Sequence, residues 1–247
     1  MKPPAAAAPG GENLARRLKL LRWAKALTLR TFVLMVLAVI ASGGFLAIAR
    51  MLKNPAFDKA DAAIELFIHH HMDSPIGDVW AKTASFVGSN AFLIPTIVLV
   101  TALAVMRHHR VAAVVLVTDA IFVIVVDQVL KVMFERARPQ LFDKIALPHD
   151  YSFPSGHSMS AVGVWGVIAA VLIALYPAWK REIVALAVLL IASIGLSRIY
   201  LGVHWPFDVA GGFLGGIPPL VVSVHLIHRR KQHDANVADL VEAVEAK

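Results

Sequence analysis

Along most of the chain, long apolar runs are separated by short polar or basic stretches. Six runs stand out, at 31–49, 86–106, 111–130, 158–175, 182–196 and 209–227. A helix rises about 1.5 Å per residue, so roughly 20 apolar residues cover the ~30 Å hydrocarbon core of a bilayer. The pattern predicts an all-α polytopic membrane protein, a six-transmembrane helix bundle. Ala41-Ser42-Gly43 resembles the small-residue site of a cleaved leader, but the apolar run continues past it, which favours an uncleaved anchor.

The segments between and around the runs divide the chain into 1–30, 31–227 and 228–247. Residues 1–13 are rich in Pro, Ala and Gly and predict a disordered tail. Residues 14–30 are basic, with Leu14, Leu18 and Leu21 at helical spacing. They read either as an amphipathic helix on an anionic membrane surface or as a plain topogenic flank. In 50–85, Asn54-Pro55 and Ser74-Pro75-Ile76-Gly77 are breakers around a short interfacial helix at 60–70. The last segment is an acidic tail whose Val237, Leu240, Val241 and Val244 fit a surface helix. No soluble domain and no internal repeat is evident.

Composition agrees with the pattern. Hydrophobic residues make up 58% of the 247 and charged ones 17%, with a mean hydropathy of +0.68. That is too little charge to solvate a soluble domain of this size. The net charge of +7 does not point to nucleic acid, because the basic residues are scattered between apolar spans. Lysine and arginine collect in the N-terminal flank, the turns at 107–110 and 177–181, and the C-terminal flank, all on one side of the membrane. The positive-inside rule makes that side, with both termini, cytoplasmic. Cysteine is absent, which excludes disulfides, a thiolate nucleophile and zinc–thiolate sites. The run His69-His70-His71 is not a metal site by pattern, since consecutive helical residues point in different directions.

Three polar stretches each follow an odd number of crossings and so emerge together on the opposite, extracytoplasmic face: 131–139, 154–157 and 197–208. Lys131, Arg138 and Arg198 are three cations without an obvious matching set of carboxylates, which suits a phosphate or diphosphate. Pro154-Ser155-Gly156-His157 sits where a helix begins, and Gly156 allows an anion to approach free N–H groups. His157 and His204 supply a nucleophile and an acid, and Asp208, four residues after His204, can orient its imidazole. These residues alone leave open which histidine attacks. No carboxylate cluster suits magnesium, so the cations would stabilise charge in place of a metal, and no cofactor is expected. Asp127 and Lys131 are i,i+4 neighbours with an orienting role, while Asp119, mid-span, has no partner legible in sequence.

Lys131…Arg138-Pro139, Pro154-Ser155-Gly156-His157 and Ser197-Arg198…His204…Asp208 together match, in order and spacing, the three motifs of a known family. Over roughly residues 31–227 the chain resembles the type 2 phosphatidic acid phosphatase superfamily, lipid phosphate phosphatases related to the vanadium haloperoxidases. The resemblance implies a phosphohistidine mechanism. His204 would attack phosphorus with Asp208 orienting it, and His157 would protonate the leaving oxygen and then activate water. Lys131, Arg138, Arg198, the Ser155 hydroxyl and the Gly156 N–H would hold the phosphoryl oxygens. It further implies a multi-pass protein of a bacterial inner membrane, acting on a lipid phosphate whose tail stays in the bilayer. Short external loops favour undecaprenyl diphosphate, with phosphatidylglycerophosphate, phosphatidate and lipid A 1-phosphate as alternatives. A phosphotransferase would share the intermediate, whereas a transporter that only binds anionic lipid would not need the oriented histidine. Oligomeric state is not readable from the sequence.

Overall fold

The computed structural model describes the backbone of residues 10–142, 145 and 148–245, with side-chain surroundings for those between 29 and 229. Its elements are α1 (Gly10–Met51), α2 (Pro55–Met72), α3 (Pro75–Gly88), α4 (Asn90–Met106), α5 (Arg110–Phe134), α6 (Gly156–Ser160), a π-helical turn (Ala161–Trp165), α7 (Gly166–Leu175), α8 (Lys180–Tyr200) and α9 (Pro206–Glu245). Among the described residues there is no strand. Five stretches are long and apolar enough to cross a membrane: Leu29–Met51, Arg110–Phe134, Gly156–Leu175, Pro177–Tyr200 and Pro206–Arg229. The pair α3 and α4 makes a sixth if it counts as one bent span.

That bent pair differs from the expected straight run at 86–106. The two helices meet at 51°. Ser89 adopts an extended conformation at the junction and its hydroxyl donates to the Phe86 carbonyl at 2.7 Å, so the chain leaves one helix and starts another. The interfacial helix is also longer than expected. Asn54 caps α2 by accepting from the Ala56 N–H at 3.0 Å, Pro55 occupies the first turn, and Asp58 complements the helix dipole. Ser74 and Pro75 start α3 in the same way. The basic segment is continuous with the first span in α1, without a break at residue 30. Residues 1–9, and the side chains expected to form the apolar stripes at 14–21 and 237–244, lie outside the described ones.

The spans are not equivalent. Gly156–Leu175 is 72% buried, against 17–39% for the other four, and forms the centre of the bundle. Its neighbours present Phe32, Val39, Leu99, Phe122 and Leu189 outward, as a lipid-facing surface requires. α9 packs on both α1 and α6. The approach to α6 depends on small residues one turn apart: a Cβ on Gly212 would lie 2.6 Å from the Ser155 carbonyl oxygen, and one on Gly216 would lie 2.6 Å from that of Met159. This contact brings the helix start that carries His157 beside the segment that carries His204 and Asp208.

Candidate active site

Three helix ends and one connection build the site. α5 ends at Glu135, whose left-handed backbone (φ 46°) turns the chain while its N–H bonds back to the Lys131 carbonyl at 3.0 Å. Lys131 is thereby left in the last turn of α5. α6 starts at Gly156 behind a Ser155 cap. α8 carries Arg198 in its last turn, and a short loop delivers His204 just before α9. Lys131, Arg138, Gly156, His157, Arg198 and His204 line one cavity of about 210 Å³. Six residues singled out from sequence are thus together.

Ser155 and Asp208 stand behind that cavity. Ser155 is fully buried and its hydroxyl accepts from the Ser158 N–H (3.4 Å) and hydroxyl (3.0 Å), so it holds the helix start and not the cavity wall. Asp208 is also fully buried. One of its oxygens accepts from Arg136 at 2.6 Å; the other accepts from the Trp205 N–H at 2.9 Å and from the Ser152 hydroxyl. The Trp205 bond is half of a capping box at the start of α9. With both oxygens held, Asp208 stands 3.6 Å from His204 Nδ1, outside hydrogen-bond range.

The state of His204 follows from its neighbours. Arg138 Nη1 lies 3.1 Å from Nε2, and a guanidinium has only donors, so Nε2 is the acceptor and the ring proton sits on Nδ1, facing Asp208. Burial, and then the charges of Arg138, Arg198 and Lys131, push the imidazole pKa well below its ordinary value. His204 is therefore neutral at pH 7, with its lone pair toward the cavity. Arg198 is 4% exposed; it donates to the Ser85 hydroxyl, and its Nε has no partner among the described residues. A buried guanidinium with an unpaired donor, on a residue that lines the cavity, suits an anion.

The expectation that the cations lack carboxylates needs correction. Asp150 bonds to Lys131 with one oxygen and to Arg138 Nη2 at 2.6 Å with the other. Burial alone would raise its pKa, but Lys131 and Arg138 outweigh that and lower it to about 2. Asp127 stands 3.6 Å from Lys131, as its spacing predicted, and also lines the cavity. Asp150 is 19 residues from Lys131 in an irregular connection, so no periodicity rule could pair them. Sequence reasoning also missed Arg136, which joins Asp208 to Asp61 of α2 at 2.6 Å on each side and lies over the Trp205 ring. Asp61 in turn accepts the Phe207 N–H at 2.9 Å, satisfying a free donor of α9. Asp119 has a partner after all, the Ser223 hydroxyl at 2.7 Å.

Fold and cavity together define a helical, multi-pass membrane protein with a cationic, histidine-bearing cavity. The PAP2 superfamily profile matches residues 111–232. Phosphatidylglycerophosphatase B of Bacillus subtilis is 33% identical over 182 residues, 70% of this chain and 86% of that protein. An undecaprenyl-diphosphatase of Sulfolobus acidocaldarius is 31% identical over 119 residues, 46% of this chain and 54% of its own length. The crystal structure of a transmembrane PAP2-type phosphatidylglycerolphosphate phosphatase from Bacillus subtilis superposes with a TM-score of 0.69 at 28% identity, covering 81% of this chain and 96% of that one. The structure of Aquifex aeolicus LpxE gives 0.55 at 28% identity, over 66% and 93%. The chain belongs to the PAP2 superfamily.

Proposed function

We propose that this protein is a metal-independent lipid phosphate phosphatase working through a phosphohistidine. The observation that carries the reading is the single cavity shared by two histidines and three cations. The His204 Nε2 lone pair attacks phosphorus; a P–N bond forms as the P–O bond to the lipid breaks, and His157 gives the leaving oxygen its proton. His157 then takes a proton from water, whose oxygen attacks phosphorus, so that the P–N bond breaks and inorganic phosphate leaves. Arg138, Arg198, Lys131 and the Gly156 N–H receive the phosphoryl oxygens, Ser155 holds that N–H in place, and Asp208 faces the Nδ1 proton of the attacking ring. The site opens on the extracytoplasmic side, as the distribution of basic turns favours.

The lipid named first is phosphatidylglycerophosphate, supported by the relative and the solved structure with the broadest coverage among those described. Undecaprenyl diphosphate, favoured by the short external loops, is the second reading and is supported by the Sulfolobus relative. The test is phosphate release by purified protein in detergent with excess EDTA, comparing these two lipids and phosphatidate. Release that persists in EDTA and is abolished by His204→Ala is expected. Release lost on chelation, or retained by His204→Ala, overturns the mechanism, and the ranking of lipids decides the substrate.

A further inference from the structure

Resting on that reading, the geometry points to Asp150 as the resident occupant of the phosphate site, a carboxylate that an incoming phosphoryl group displaces and that returns to expel inorganic phosphate. Asp150 lines the same cavity as His157 and His204. Its two oxygens bridge Lys131 and Arg138, as two oxygens of a phosphate would. None of the three family motifs includes it.

The structure also indicates which partner moves. The Lys131 and Arg138 side chains are 8% and 6% exposed, and Arg138 Nη1 is tied to the Val203 carbonyl at 2.5 Å. The Asp150 side chain is 40% exposed and comes from the connection between α5 and α6, so it can swing outward while the cations stay. Staying is not an option once substrate arrives: a carboxylate and a phosphate dianion on the same two cations would repel at close range in a partly desolvated site. A site of three buried cations would by itself bind inorganic phosphate tightly and stall after the first turnover. Asp150 competes for two of those cations and so weakens the product complex.

The experiment is titration of the full-length protein in detergent with inorganic phosphate, read by equilibrium dialysis, for wild type, Asp150→Asn and Asp150→Glu. Asparagine keeps the shape and removes the charge. It should tighten phosphate binding by about tenfold, equivalent to ~1.4 kcal/mol; glutamate should remain close to wild type. In turnover, Asp150→Asn should show a lower KM together with stronger inhibition by phosphate. A residue that merely positioned Arg138 would raise KM and weaken phosphate binding when neutralised. Unchanged or weaker binding in Asp150→Asn overturns the inference. Failure of both Asp150→Asn and a second neutral variant, Asp150→Ser, to fold overturns it as well, since a group that leaves in each turnover cannot be a structural requirement. If wild type hydrolyses no lipid phosphate, the proposed function falls while the dialysis still decides on Asp150.

Discussion

Arg136 makes the sharpest test of how the site is supported. Its guanidinium, only 10% exposed, bridges two fully buried carboxylates, Asp208 and Asp61, at 2.6 Å each, and reaches the exposed Asp58 at 3.3 Å. Burial opposes the charge on Arg136, yet the two carboxylates more than compensate and raise its pKa above the ordinary value. Asp61 shows the complementary pattern: burial pushes it up, and Arg136 pulls it part of the way back. Glu65, one turn further along α2 and fully buried, is raised to about 8 by burial and then by Asp61 and Asp208, so this pocket already holds one neutral acid at pH 7. Arg136→Ala would leave two carboxylates facing each other without a cation. Removing one partner of a buried ion pair typically costs about 3–5 kcal/mol. At roughly 2–4 °C per kcal/mol for a chain of this length, even the lower figure predicts a fall in melting temperature of roughly 6–12 °C in detergent. Asp61→Asn in the Arg136→Ala background should recover part of that loss, because it removes one stranded charge. Thermal unfolding of the four proteins of this double-mutant cycle measures the coupling. A loss below about 1 kcal/mol in Arg136→Ala, or no recovery in the double variant, would refute the buried bridge.

Two further outcomes follow from the geometry. Gly212→Ala places a methyl group 2.6 Å from the Ser155 carbonyl and 2.8 Å from Ser158 Cβ, so α9 must move away from α6. An overpacking cost of about 1–3 kcal/mol and reduced kcat are expected, whereas Gly43→Ala, with nothing within 4 Å of the new Cβ, should change neither. The acid limb of the pH dependence of kcat/KM follows from His204, while the proton that His157 must carry sets the alkaline limb. The folded pKa of His204 lies below the ordinary 6.5 and its neutral form attacks, so the nucleophile stays available as pH falls and is lost only when pH drops through that depressed value. The acid limb should therefore lie below the ordinary histidine range; a limb centred at or above that range would contradict the electrostatics described.

Much of this protein is decided locally and was legible for that reason. Membrane spans are continuous apolar runs, and a bilayer forces each to pair its own backbone, so 111–130 and 209–227 became the spans Arg110–Phe134 and Pro206–Arg229 with margins of a few residues, although α9 itself continues to Glu245. Parity of crossings then placed Lys131, His157 and His204 at one end of the bundle, and the cavity contains all three. The i,i+4 pair Asp127–Lys131 needed only helical geometry. Interactions between distant segments were not legible. The bend at Ser89 sits within a polar-to-apolar transition, and Gly88 beside it comes close to Ile194 and the His157 ring only once α8 and α6 are in place. The pairings Arg136–Asp61 and Lys131–Asp150 join residues 75 and 19 positions apart, where no repeat of helix or strand sets a register. Burial made those pairs obligatory, since a charge removed from water must find a partner, and only the packed helices determine which charges are removed from water.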